Sequence, residues 1–320
     1  MNPFAALSMA LTFALFHSLA VGAGWELLPN SPVATSRHDD IFFLNPRLGW
    51  ISNGDGEIHR TTDGGETWML LTTADGGRSI GFADSLNGWL GSLVGLSGAL
   101  LMTSDGGFSW NGVTNVSGPP PESVCGISVV NDSVIYASGG WYGVPRVLKT
   151  TDRGANWASF GLDSLAGGLV DCYFFTPDSG IVVGSTGDGL IGQALILFTS
   201  DGGNTWSTSF LGPRDYETCW KISFPSAQVG YVSIESGNLS GPVYFLRTSD
   251  RGATWSEKMF LGDHFDEQGI GFVTDSLGWI GGWTGPTYAT TDGGDTWTQT
   301  GPGTNVNRFR FLGDSLGYCV

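Results

Sequence analysis

The 320-residue chain is poor in charge. Only 14% of its residues are Asp, Glu, Lys or Arg, and 14 basic side chains face 30 acidic ones. The net charge, 14 − 30 = −16 with histidine neutral, opposes phosphate backbones and anionic bilayers. Nucleic acid is therefore excluded as a partner, and the charge is read as an acidic, solvated surface. Cysteine is scarce too. Cys125, Cys172, Cys219 and Cys319 lie 47, 47 and 100 residues apart, which rules out a CxxC metal site. They are read as small buried hydrophobes, with a Cys172–Cys219 disulfide as the alternative. His38, His59 and His264 are too scattered for a metal cluster or a Ser-His-Asp arrangement, so no metal and no cofactor is expected.

Long apolar runs are missing beyond residue 23, so no later membrane span is expected. The exception comes first. Residues 2–23 carry no charged side chain and end in Val21-Gly22-Ala23, small residues suited to signal peptidase. Residues 1–23 are read as a secretory signal cut after Ala23, with an uncleaved anchor as the alternative. The mature protein is then secreted or periplasmic. Three sequons, at Asn115, Asn131 and Asn238, matter only in a eukaryotic secretory pathway.

What is abundant is glycine (51 residues) and tryptophan (13), and with them a repeat. The octets "TTDGGETW" (61–68), "TSDGGFSW" (103–110), "TTDRGANW" (150–157), "TSDGGNTW" (199–206), "TSDRGATW" (248–255) and "TTDGGDTW" (290–297) start 42, 47, 49, 49 and 42 residues apart. Periods of this size suit four-stranded propeller blades. Each octet follows a second landmark: Gly49-Trp50, Gly88-Trp89, Ile135-Tyr136, Gly180-Ile181, Gly230-Tyr231 and Gly278-Trp279. Before each landmark lies a short alternating apolar stretch, such as "IFF" (41–43) and "IGF" (270–272), which is a strand signature.

Within a unit the octet spans the turn from strand 3 to strand 4. Asp63 caps backbone N–H groups of its own turn, Gly65 supplies a backbone angle that a Cβ resists, and Trp68 wedges into the blade. The same roles fall to Asp105, Gly107 and Trp110, to Asp152, Gly154 and Trp157, and to Asp201, Gly203 and Trp206. They recur in Asp250, Gly252 and Trp255, and in Asp292, Gly294 and Trp297. Regular placement in turns marks these carboxylates as architecture. A calcium site is the lesser reading, because one Asp per turn offers too few oxygen ligands.

The pattern S/T-x-D-x-G-x-x-W resembles the Asp-box, or BNR repeat, of sialidases, sortilin-type receptors and xyloglucanase-type glycosidases. The combination "DSLGW…TTDGGDTW" (275–297) is most similar to propellers like the photosystem II assembly/stability factors. The resemblance covers about 40–320 and is read as a label for the fold rather than for photosystem assembly, unless the source is a phototroph. It implies an all-β propeller of four-stranded antiparallel blades. Residues 305–320 match strands 1 and 2 of a seventh unit, and "GWELL" (24–28) resembles "TWMLL" (67–71). The expected architecture is six complete blades plus a partial seventh, a ring closed by the N-terminal strand, with 24–320 as one domain truncated within blade seven.

In such a fold the strand 4→1 loops surround one channel mouth. They hold Asp39, Asp40, Arg78, Asp171, Glu217, Trp220, Lys221, Glu267 and Arg308, mixed charges with an aromatic that suit a polar ligand. The sialidase resemblance would place Arg37, Arg78 and Arg308 on a substrate carboxylate, with Tyr216, Glu217 and Asp39 as the reacting groups. The segment "PRLGW" (46–50) departs from the family's "RIP" pattern, which puts that chemistry in doubt. A glycosidase pair such as Asp40 and Glu267 would need to face each other across a cleft. The expected function is a non-catalytic, monomeric scaffold for a protein or glycan partner, with a sialidase- or xyloglucanase-type glycoside hydrolase as the alternative.

Overall fold

A computed structural model describes residues 13–16, 24–34, 36–72, 76–93, 98–141 and 143–320. The chain is an all-β propeller. Blade 1 is the meander His38–Phe43, Gly49–Asn53, Glu57–Thr61 and Met69–Thr72. Five further blades repeat it from the inner strands Gly77–Phe82, Gly126–Val129, Gly168–Phe174, Glu217–Ser223 and Glu267–Phe272. Blade 3 departs from the four-stranded plan. Val116–Ser117 runs parallel to its outermost strand, Trp157–Gly161, and makes a fifth.

The remaining strands make one more sheet, in the order Glu26–Leu27, Phe13–Phe16, Leu316–Cys319, Phe309–Phe311. This corrects the expected partial blade. The third position is occupied by Phe13–Phe16, antiparallel to Leu316–Cys319. A strand left open at Leu316–Cys319 would present unpaired N–H and C=O groups. A short uncharged apolar segment suits that slot as well as it suits a signal, so composition alone does not tell the two apart. The cleavage point after Ala23 and residues 1–12 and 17–23 lie outside the described residues.

The octets build their turns as one design. In the first, the Thr61 hydroxyl donates to Asp63 (2.8 Å) and accepts from the Gly65 amide (2.9 Å). Asp63 in turn accepts from the Thr67 amide (2.9 Å) and hydroxyl (2.6 Å). The other five octets repeat these bonds. In the third, Asn156 Nδ2 replaces the hydroxyl donor to Asp152 at 2.8 Å. The first glycine of the turn can be an arginine, since Arg153 and Arg251 hold φ of 62° and 61° there. The second cannot. Gly154 has φ 86°, and a Cβ on it would stand 2.8 Å from Trp89 Nε1 and 2.9 Å from Met102 Sδ.

That turn also joins blades. The landmark aromatic of one blade stacks on the inner-strand Phe of the next: Trp50 on Phe82 (3.6 Å), Tyr136 on Phe174 (3.4 Å) and Tyr231 on Phe272 (3.5 Å). The octet Trp of the receiving blade meets the same Phe edge-on, as Trp110 meets Phe82 and Trp297 meets Phe272. The polar tip of the landmark then donates to a backbone carbonyl of the next blade: Trp50 Nε1 to Gly106, and the Tyr136 hydroxyl to Pro177 and Gly202. Tyr318 stacks on Phe43 at 3.6 Å and donates to the Gly64 carbonyl, so the last sheet meets blade 1 through the same contact. All four cysteines are buried, and the Cys125, Cys172 and Cys219 thiols form no disulfide, which sets aside the Cys172–Cys219 bridge.

Two outcomes follow from the octet turn. Gly154→Ala should lower the unfolding free energy by about 2–4 kcal/mol, from left-handed strain plus overpacking against Trp89, measured by chemical denaturation. Hydrogen bonds from Thr67 and Ser109 depress Asp63 and Asp105 from 3.8 to about 2. Their folded pKa lies below the unfolded value, so their contribution is complete above about pH 4 and lost as pH falls toward 2. An Asp63→Asn/Asp105→Asn variant should show a flatter stability profile across that window.

Candidate binding site at the channel mouth

The inner strands contact one another in sequence around a central channel, and Phe309–Phe311 contacts both Glu267–Phe272 and His38–Phe43. Five of the six inner strands that begin the blades carry a register shift at the equivalent place: His38/Asp40, Gly77/Ser79, Leu169/Asp171, Cys219/Ile222 and Glu267/Ile270. A bulge leaves backbone N–H groups without ladder partners. Carboxylates satisfy them. Asp40 accepts from the Ile41 and Ile80 amides (2.9 and 3.0 Å), Asp171 from Cys172 and Ile222 (3.0 and 3.3 Å), and Glu267 from Ile234 (3.2 Å).

The nine residues assigned to a ligand-binding rim at the mouth are all buried, none more than 6% exposed. They separate into three groups. Arg308 links Asp40 (3.0 Å) and Asp171 (2.8 Å) across the waist of the channel, with fully buried Lys221 beside them. Burial, then the Arg308 charge, lowers Lys221 to about 7, and its Nζ has no hydrogen-bond partner among the described residues. Burial alone would raise Asp171, but Arg308 and Lys221 hold it below the usual range. Glu217 and Glu267 stand apart from this network. Glu217 pairs with Arg214 at 2.6 Å, and burial raises both carboxyls above the usual range.

Asp39, Arg78 and Trp220 face outward into a bowl of about 760 Å³. Asp39 is clamped by Arg78 and by Arg37 Nε (2.8 Å). Arg37 lies 4.3 Å over the Trp283 ring and donates to Gln268, which donates to Glu235 at 3.0 Å. Arg78 lies 5.3 Å over Trp220, which meets Trp141 edge-on at 4.9 Å and donates to Asn307 at 3.1 Å. Burial raises Glu235 to about 7, and burial with the Arg78 charge lowers Arg37 to about 10. The bowl thus offers three indoles, two guanidiniums and a carboxyl that titrates near neutrality.

The sialidase-like grouping is not assembled. Arg37 and Arg78 converge on Asp39, whereas Arg308 is committed to Asp40 and Asp171. Tyr216 is half-exposed with φ 64°, next to the buried and paired Glu217. Asp40 and Glu267 are both engaged in the wall. No group of three His, Cys, Asp or Glu among the described residues could hold a metal.

Sequence reasoning missed Trp141, Glu235 and Trp283. All three follow from a signal that was available. Strand 2 ends at the mouth where strand 1 begins, so residues at or just past its end ring the same opening. Trp141 follows Ile135–Gly139, Glu235 is the penultimate residue of Gly230–Ser236, and Trp283 follows Gly278–Gly282.

No protein-family model matches the chain. It is 25% identical over 294 residues to the photosystem II assembly lipoprotein Ycf48 of Synechococcus sp. (strain CC9902), covering 86% of this chain and 80% of that protein. Its structure is similar to that of YCF48 bound to a D1 peptide, at TM-score 0.65 and 19% identity over 98% of both chains. YCF48 from Cyanidioschyzon merolae matches at TM-score 0.68 and 18% identity, over 93% of this chain and 98% of that one.

The waist carries its own prediction. Lys221 is depressed in the folded protein, so above about pH 7 the unfolded chain binds the extra proton, and stability rises with pH toward 10.5. Lys221→Met should remove that slope. Its stability advantage over the parent should be largest at or below pH 7 and shrink as pH rises, read from denaturation at several pH values.

Proposed function

We propose that this protein is a non-catalytic propeller whose bowl holds a segment of a protein partner. The observation that carries this reading is the bowl's make-up. Flat indoles and fixed guanidiniums recognise peptide backbone and side chains, while Asp39 is already neutralised by Arg37 and Arg78. Similarity to the Ycf48 proteins, one of them bound to a D1 peptide, supports a protein partner over a glycan. In this reading the octets are Asp-box repeats. Residues 24–320 are one domain, and the sheet in which Phe13–Phe16 joins Leu316–Cys319 to Glu26–Leu27 serves as a seventh blade closing the ring. The protein acts as a monomer outside the cytoplasm. No helix among the described residues is long and apolar enough to cross a membrane.

A glycosidase remains the second reading because of one pair. Burial raises the Glu235 carboxyl to about 7, the direction a general acid needs, and the charge of Asp266 in the same bowl adds to that rise. Glu235 is already bonded to Gln268, however, and Asp266 to His264 and Thr284.

The test is binding to a peptide array that includes the D1 peptide, run beside a glycan array. Peptide binding should weaken at least about tenfold in Trp283→Ala and Arg37→Ala, with melting temperatures little changed. Binding that survives both substitutions would overturn the bowl as the site. Sugar release from xyloglucan or sialoside that disappears in Glu235→Gln would favour the enzyme.

A further inference from the structure

The channel has a second end. Each inner strand runs from one mouth to the other, so residues two or three positions further along line the opposite side. Asp39, Arg78 and Trp220 face the bowl, whereas Phe42, Gly81 and Ile222 line a separate chamber of about 120 Å³. Three residues of strand span about 10 Å, and the Asp40–Arg308–Asp171 network lies between the two spaces.

The chamber is lined by donors that lack acceptors. Arg308 spends its fork on the two aspartates, with Nε on Asp40 and both terminal nitrogens on Asp171 at 2.8 and 3.3 Å. Arg310 does not. Its Nε donates to the Ile41 carbonyl at 3.2 Å, and its closest carboxylate contact, Nη2 to Asp40, is 3.8 Å, beyond hydrogen-bond range. The Arg310 side chain is 34% exposed, and its terminal nitrogens have no acceptor among the described residues. Tyr173 lines the same chamber with its ring stacked 5.0 Å from Phe224, and no described residue bonds its hydroxyl. Ser128 accepts from the Phe174 amide at 3.0 Å, which leaves its own proton to donate. Asp171 is the only carboxylate in the lining, and both its oxygens are occupied.

We propose that this chamber is a binding site for one small oxyanion, held by the Arg310 fork with the Tyr173 and Ser128 hydroxyls completing the donor set. Planar guanidinium plus two hydroxyls is the donor pattern that suits phosphate, sulfate or carboxylate. The volume admits a single such group and little else. The neighbouring Arg308 and Arg310 charges repel one another, and a bound anion would offset that cost. The chain's net charge of −16 repels anions at long range, so occupancy would depend on the local donors. This inference does not depend on what the bowl binds.

The experiment is a thermal-shift and calorimetric titration of the full chain with inorganic phosphate and, separately, acetate, with sodium chloride holding ionic strength constant. The expected result is a saturable stabilisation by phosphate that chloride does not reproduce. Affinity should fall about tenfold in Arg310→Gln and severalfold in Tyr173→Phe, which keeps the ring packing, and should be unchanged in the bowl variant Trp283→Ala. Acetate binding more tightly than phosphate, with the same dependence on Arg310, would identify a carboxylate as the occupant of the same site. The proposal is overturned if neither anion exceeds the chloride control, or if Arg310→Gln and Tyr173→Phe both bind like the parent. It is also overturned if Trp283→Ala abolishes the effect, which would move the anion to the bowl.

Discussion

The contact on which the rest of the structure depends is the one between neighbouring blades. A landmark ring stacks flat on the next blade's inner-strand Phe, and that blade's octet Trp closes on the same Phe edge-on. The landmark's polar tip then reaches the octet turn. An aromatic pair adds about 0.5–1.5 kcal/mol beyond its buried area, and the unit recurs between blades. It also fixes geometry. The octet must present a carbonyl at one place and a bare Cα at another, which is why its Asp, Thr and second Gly recur. Where the landmark is Ile181, the stack is absent, and Tyr173 and Phe175 pack on Phe224 instead.

With the blades fixed, the channel wall follows. Bulges at the start of the inner strands turn amides away from the ladder, and acidic side chains from the same strands accept them. Glu267 is held by the Ile234 amide, whereas Asp40 and Asp171 are held by backbone first and by guanidinium second. Carboxylates held in this way are poor general acids or bases, because protonation would break the bonds that seat them. What is left to meet a ligand sits above and below this layer: indoles, Arg37 and Glu235 on one side, Arg310 and Tyr173 on the other.

The fold was legible in the sequence because each octet reports on its own blade: "TTDGGETW" contains the whole hydrogen-bonded turn, Thr61 to Thr67. The site was legible only in part. Asp39, Arg78 and Trp220 were found because strand 4→1 loops were known to surround a mouth. Trp141, Glu235 and Trp283 come from the ends of strand 2 and were passed over, although they open on the same space. Burial was not legible either. Lys221 and Glu267 read as loop charges, yet a one-residue bulge decides whether a side chain faces solvent or wall, and a bulge leaves no mark in the sequence. The stretch Phe13–Phe16 shows the same ambiguity, since apolar composition serves an export signal and a sheet strand equally well.

The parallel pair formed by Val116–Ser117 with Trp157–Ala158 has a consequence for how the molecule meets its neighbours in a crowded solution. Every blade ends in an outermost strand whose free side is a template for another chain, and such templates seed fibrils and swapped dimers. Among the described residues, blade 3 alone carries its own cover, a two-residue strap drawn from the linker that precedes it. Strand addition is therefore hindered at Trp157–Ala158 and favoured on an uncovered edge such as Ser256–Leu261, whose charges, Glu257 and Lys258, are already paired with Arg214 and Asp295.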